Sequence, residues 1–392
     1  MHRDSPSIYS PDFLWLTLAS FFFFASFQLL MVPLPLYIAQ IGGEAAAVGL
    51  VMATFALAAV LVRPLMGRLV DTLGRRPLLL LGIGLFILSP LLFIFATSIP
   101  LLMAARALQG VGLAAFTIAS TTWIADLVPA SRRGEAMSNF ASASVLSLAI
   151  LPVVGSSLLR VTSFPVIFAL AAGLALVSLV GASARERHGQ AASSGQGHFW
   201  TTVRRRGVWL PSLLVMTLGV AYGAIISFIA LFTRERGLPD GGLFFLLYAV
   251  AAIIGRGPLG RLSDRLGHER VIAPLALLAV GAIVLLAMAH TLPWFLLAGI
   301  CYGLTFGTAW PLLNALVVNH ASLQGRGAAV GMISTGFDLG IAGGSFLGGL
   351  LVAPLGYSGM YVTTAGICLL GVAAFIVGVR TGSQPKVPAA VK

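Results

Sequence analysis

Residues 63–74 read RPLMGRLVDTLG, and residues 256–267 read RGPLGRLSDRLG, so a chain of 392 residues carries one element twice, 193 positions apart (63 to 256). The same spacing joins Gly110 to Gly303, Arg133 and Gly134 to Arg326 and Gly327, and Gly155 to Gly348. Repeats of about 20 to 50 residues mark solenoids and propellers. This period is longer and holds several apolar segments, so the repeating unit is a bundle of helices and the chain consists of two homologous halves.

Composition agrees. Hydrophobic residues make up 58% of the chain and charged residues 9%, and the mean hydropathy is +0.98, well away from a soluble domain. A membrane-crossing helix needs about 20 mainly apolar residues and satisfies its own backbone. Twelve segments meet that requirement: residues 12–38, 46–66, 77–97, 100–125, 134–158 and 162–183, then 209–233, 240–260, 270–290, 293–318, 327–352 and 356–379. The expected fold is an all-α membrane protein of twelve spans in two pseudo-symmetric six-helix bundles. The bundles occupy residues 1–183 and 209–392, the second ending in a short cytoplasmic tail. Residues 184–208, with Arg185, Glu186, Arg187 and a small polar run, read as a cytoplasmic linker in which Phe199 and Trp200 suit the headgroup level.

Six spans per half put both termini on one side. Of the 24 Lys and Arg, only Arg160, Arg234 and Arg236 fall opposite, and Arg106 lies within a span. Basic loops stay in the cytoplasm, so both termini are expected on the cytoplasmic face of the inner membrane. The net charge of +12 forms thin belts beside apolar helices rather than one basic face, which argues against a nucleic-acid partner. The run Arg204, Arg205, Arg206 reads as a topology anchor that also meets anionic lipid headgroups. The first apolar stretch continues past Pro33 and Pro35 at full spanning length and is expected to stay in the mature chain. Cys301 and Cys368 fall within spans, with neither a disulfide nor a metal site implied. No cofactor is expected, since there is no phosphate-cradling GxxxxGK loop and an ion gradient remains as the energy source.

Three motifs carry a resemblance. Gly67, Leu69, Asp71, Gly74, Arg75 and Arg76 resemble the GxLaDRxGRR signature of the major facilitator superfamily, with Thr72 where that family has Arg. Leu102, Arg106, Gln109, Gly110 and Gly112 look like its LxxxRxxQGxG pattern, and Asp126, Pro129, Arg132, Arg133 and Gly134 like the DxxPxxxRRG run that follows. Similarity to that superfamily, and to its twelve-helix drug and metabolite:proton antiporters, implies a cavity lined by spans one, four, seven and ten. It also implies alternating access by rocking one half against the other.

At the repeated element, Gly67 and Gly74 permit a tight turn, and Asp71 is an acid among Arg68, Arg75 and Arg76. One reading is a conformational lock formed by Gly67, Asp71, Gly74, Arg75, Arg76, Asp126 and Arg133. In it Asp71 accepts from Arg133 or a helix N-terminus, and Asp264 serves the second copy. The other reading is topology charges and turn glycines. His268 and Glu269 follow the second copy in place of two arginines, which predicts a weaker network there.

Only Arg106 and Asp338 are expected well inside the spans, where a charge costs about 2.5 to 3.5 kcal/mol and faces a cavity or a partner. Asp338 lies near the middle of span eleven in a run where Gly336, Gly340, Gly343 and Gly344 thin the helix. It reads either as a proton-exchanging carboxyl or as an acid bonded permanently to a neighbour. Arg106 keeps its proton, so its part in coupling is electrostatic. The alternative is a structural Arg bonded to Gln109 and backbone carbonyls. In span five Pro152, Gly155 and Ser156 partly match the antiporters' GPxxGG run, with Leu151 in place of the preceding Gly.

Helix membership and depth select Gln28, Phe116, Tyr222, Phe306, Trp310 and Asn314 for the cavity. Such an aromatic set with few polar groups suits an amphiphilic small molecule. Lipid-facing or interhelical packing is the competing reading for each ring. The expected function is secondary active transport of such a molecule, by export in exchange for protons, through a monomer. Uptake by proton symport or facilitation is the alternative, and a non-transporting receptor or scaffold is the alternative of another class. An enzyme is not expected, because the spans hold no nucleophile beside a base and no cluster of metal ligands.

Overall fold

The computed structural model describes residues 9–129, 132–183, 199–238, 241–322 and 325–381. Twelve crossings are present among the described residues. The first is Pro11–Gln40, made of helices Pro11–Leu29 and Pro33–Gln40. Ser10 caps its start by accepting from the Phe13 N–H at 3.2 Å, and the break falls before Pro33, which has no N–H to offer the ladder. Spans two to five are Ala45–Leu73, Arg75–Phe95, Ile99–Leu127 and Arg133–Leu159. The sixth is Phe164–Val177, tightening into a 3-10 turn over Ser178–Ser183. In the second half come Arg206–Glu235, Gly241–Leu266, His268–Ala287 and Leu292–His320.

The last helix, Arg326–Thr381, has 56 residues, about 84 Å at 1.5 Å per residue, far more than one crossing of a hydrocarbon core about 30 Å thick. Gly356 breaks it at φ +65°, a conformation open to a residue without Cβ, and residues 326–355 and 357–381 become spans eleven and twelve. Large aliphatic side chains such as Leu61, Leu278 and Leu370 are more than half exposed, as a lipid-facing surface requires.

The linker expected over residues 184–208 falls partly outside the described residues. Within it a short helix runs Phe199–Val203, and span seven already starts at Arg206. Several helices outrun the expected spans. Span two continues to Leu73 and span eight to Leu266, which places Arg63 and Arg256 about 15 Å inside their helix ends. Arg63 and Arg256, expected near the inner ends of spans two and eight, thus stand within continuous helices, because the helical ladder runs on past the point where hydropathy falls.

The duplication is visible in the packing. A Cβ on Gly110 would overlap the Phe55 carbonyl, and one on Gly303 the Tyr248 carbonyl, and the two pairs lie one repeat apart. Glycine is what lets span four lie on span two, and span ten on span eight. Span three also packs on spans four and six, and span one on span five; in the second half span nine packs on span ten, and span seven on the last helix. The halves meet mainly along two seams, span two against span eleven and span five against span eight, with smaller contacts of spans one and two on span seven. At the end away from the termini both seams close to backbone contact. A Cβ on Gly49 would overlap the Ser345 carbonyl, and one on Gly242 would stand 2.7 Å from the Pro152 carbonyl.

Candidate functional site

Span eleven presents one glycine face to span seven. A Cβ on Gly340 or Gly344 would overlap the carbonyl of Met216 or Val220, and one on Gly336 would lie 3.0 Å from that of Ser212. Ser345, at the end of this face, donates to the Gly223 carbonyl at 3.2 Å and accepts from Ser227 at 2.8 Å. Gly343 is not part of the face and meets nothing within 4 Å. With this face committed to span seven, Asp338 turns to span two, where its Oδ2 lies 2.5 Å from Arg63 Nη2. The approach lacks the alignment of a hydrogen bond and is an ion pair, with side-chain exposures of 23% for Arg63 and 14% for Asp338. It bridges the two halves. Arg63 is the first residue of the repeated element, a signal the sequence carried.

Arg106 is elsewhere. It is 2% exposed, donates from Nη1 to Gln109 Oε1 at 2.7 Å, and lies 4.4 Å from the Phe55 ring centre and 5.8 Å from that of Phe27. Ring quadrupoles and one amide hold the charge, with no carboxylate in ion-pair range among the described residues. Asp338 and Arg106 are not brought together.

Three of the expected cavity residues do converge. Tyr222 lies 5.6 Å from Phe306 and 5.7 Å from Phe337, and Trp310 lies 4.6 Å from Phe337. Tyr248 and Tyr302 extend the group, at 6.3 Å from Tyr222 and 5.3 Å from Phe306. Phe337, Tyr248 and Tyr302 were missed because their shared face depends on how spans eight, ten and eleven are rotated. Phe337 is the chain neighbour of Asp338, so the ring group and the acid share one turn of span eleven. Asn314 donates from its side chain to the Trp310 carbonyl of its own helix at 3.0 Å. Phe116 is fully buried, stacked at 3.7 Å on Phe23 with Phe86 on the far side. It is core of the first half rather than cavity lining. Gln28 is 6% exposed and its Oε1 has no hydrogen-bond partner.

The repeated element folds as a tight turn in both copies. Gly74 and Gly267 take φ +90° and +91°, which a residue with Cβ rarely adopts. Arg75 donates to Asp126 Oδ2 from Nε at 3.0 Å, tying spans three and four within the first half. Arg133 donates to the Ala125 carbonyl at 3.0 Å, not to Asp71. Asp71, Arg76 and Asp264 are exposed, and neither of the two acids has an ion pair among the described residues. Gly67 and Gly260 have open space around them. In the second copy Ser263 and His268 Nδ1 share a hydrogen bond at 2.6 Å in place of an ion pair. Among the described residues Asp71 and Arg133 are thus not paired with each other, and the closest backbone approach of the two halves lies at the opposite end.

These features can be set beside known proteins. The model of the Major Facilitator Superfamily matches residues 16–326 and 239–392. The Multidrug resistance protein MdtG of Citrobacter koseri is 28% identical over 364 residues, covering 88% of this chain and 89% of the relative. Its counterpart in Escherichia coli (strain K12 / DH10B) is 27% identical over 387 residues, 94% of each chain. Among solved structures, a bacterial homolog of the human lysosomal transporter Spinster, inward-facing and unoccupied, matches with a TM-score of 0.80 at 16% identity, covering 96% of this chain and 98% of that one. The nucleoside transporter NupG matches at 0.76 and 13%, covering 95% and 100%. A duplicated six-span bundle, two glycine-packed seams and a match along nearly the whole chain lead to one assignment: the chain belongs to the Major Facilitator Superfamily and is a membrane transporter, not an enzyme.

Proposed function

We propose that this transporter exports a small amphiphilic molecule across the cytoplasmic membrane in exchange for protons, as a monomer, with both termini and the linker between the halves in the cytoplasm. The observation that carries the reading is the Arg63–Asp338 pair across the seam beside the aromatic group. Asp338 is the proton carrier and Arg63 its counter-ion. A proton on Asp338 cancels the charge that ties span eleven to span two, so protonation and rocking of the halves become one equilibrium. Tyr222, Phe306, Trp310 and Phe337 hold the apolar body of the substrate, with Gln28 and Asn314 as orienting groups. Arg106 supports coupling from a distance, as a fixed buried charge.

With the basic loops inside, the closed end of the seams is periplasmic and the arrangement opens to the cytoplasm. Asp71, Arg75, Arg76, Asp126, Arg133 and Asp264 close that side in the opposite conformation. The names of the MdtG relatives support multidrug export as the cellular role.

The test is a proteoliposome assay with an imposed pH gradient and a panel of cationic, neutral and anionic aromatic compounds. Substrate-dependent proton flux is expected, and Asp338→Asn should abolish uphill accumulation while sparing exchange without a gradient. Unchanged uphill transport by that variant removes Asp338 from the mechanism.

A further inference from the structure

The repeat places two arginines at equivalent positions, Arg63 on span two and Arg256 on span eight. Arg63 has Asp338 on span eleven. One repeat before Asp338, on the span that packs against span eight, stands Val145. The symmetry that supplies Arg63 with an acid offers Arg256 an aliphatic side chain. No carboxylate lies in ion-pair range of Arg256 among the described residues, and its Nε is buried without a hydrogen-bond partner. A cation within a spanning helix and without a counter-charge is costly when it lies in the bilayer, and marks a site that meets an anion.

The surroundings say what kind of molecule brings that anion. Gly255, the neighbour of Arg256, faces span ten so closely that a Cβ there would stand 3.0 Å from Thr308 Oγ1. Thr308 is 2% exposed, and its hydroxyl oxygen has no partner. Two turns along the same helix, Tyr248 is within electrostatic reach of Arg256, and its hydroxyl end approaches Gly307. Tyr248 adjoins Tyr222 and Tyr302, from which the rings continue to Phe306, Phe337 and Trp310. A cation and an unpartnered hydroxyl thus lie on facing turns of spans eight and ten, and span ten also carries Tyr302, Phe306 and Trp310. Asp338, the acid next to Phe337 in the chain, is already paired with Arg63.

We infer that Arg256 and Thr308 seat the anionic head group of the transported amphiphile, a carboxylate or sulfonate, while its aromatic body lies along Tyr222, Phe306, Phe337 and Trp310. This deepens the transport reading above and rests on it for the word "transported". An anionic lipid headgroup offers the same chemistry, so the test separates the two sources.

Equilibrium binding is measured on the full chain in phosphatidylcholine nanodiscs with three probes of one aromatic body: 1-naphthaleneacetate, 1-naphthaleneacetamide and 1-naphthylethylammonium. The wild type should bind the acetate about 10-fold or more tighter than the other two, the scale of a charge-assisted hydrogen bond. Arg256→Gln should erase that preference and leave the amide's affinity within about twofold, whereas Arg256→Lys keeps part of it. Thr308→Val should weaken the acetate alone, and it serves in place of Arg256→Gln if that variant does not fold. Equal binding of the three probes, no binding of any, or an intact preference in the folded Arg256→Gln protein overturns the proposal. So does loss of the preference when phosphatidylglycerol is added, which assigns the cation to lipid. If the preference holds while no probe moves protons in liposomes, the anion seat stands and the antiport reading fails.

Discussion

Replacing Arg63 by Gln and Asp338 by Asn, singly and together, tests whether one ion pair links proton uptake to the movement of the halves. Opposite charges about 4 Å apart attract by about 4 kcal/mol at an effective dielectric of 20, an upper figure for a pair that stays partly wet. Exposed pairs contribute about 0 to 1 kcal/mol, and breaking a fully buried one costs about 3 to 5 kcal/mol. With side-chain exposures of 23% and 14%, this pair falls between, and a coupling of about 1 to 3 kcal/mol is expected. That is about a 5- to 150-fold change in the ratio of the two conformations. Spin labels on Thr72→Cys and Val330→Cys, both exposed near the terminal ends of spans two and eleven, report the ratio as distance distributions once Cys301 and Cys368 are replaced. Each single variant should shift the distribution away from the state described here, and the double variant should shift it by less than the sum. Acidification should move the wild type in the direction of Asp338→Asn and leave that variant nearly still. A coupling below about 0.3 kcal/mol, or an undiminished response to pH in Asp338→Asn, refutes the reasoning.

Other outcomes follow from neighbouring contacts. Gly344→Ala should destabilise by about 1 to 2 kcal/mol in mixed-micelle denaturation, since a Cβ meets the Val220 carbonyl and overpacking outweighs the better helix propensity. Gly343→Ala, in open space, should be neutral or stabilising by up to about 1 kcal/mol, and equal effects at the two positions would contradict the packing of spans seven and eleven. Arg75→Gln should lower stability by about 1 to 3 kcal/mol by leaving Asp126 without its donor, measured in the same way. Trp310→Ala should weaken binding of aromatic probes at least several-fold without altering the fold, because it removes the ring packed at 4.6 Å on Phe337. Asp71→Asn should leave the distance distribution of this state unchanged, since Asp71 is unpaired in it, and should depopulate the opposite state if the loop lock operates there.

The count of twelve crossings, the two halves and the turn at each copy of the repeated element were determined by the sequence alone. Hydropathy and glycine placement act locally, and a duplication preserves both. Arg106, Asp338 and the rings of Tyr222, Phe306 and Trp310 stood out in the sequence for the same reason: a charge or ring inside an apolar run is conspicuous whatever surrounds it. Only the tertiary structure decided which of these meet. Asp338 pairs with Arg63 rather than approaching Arg106, because Gly336, Gly340 and Gly344 commit one face of span eleven to span seven and turn the acid to the seam. Phe116 packs on Phe23, and Phe337 joins Tyr222, because helix rotation, which a run of apolar residues in lipid leaves nearly free, is set by where glycines let backbones touch.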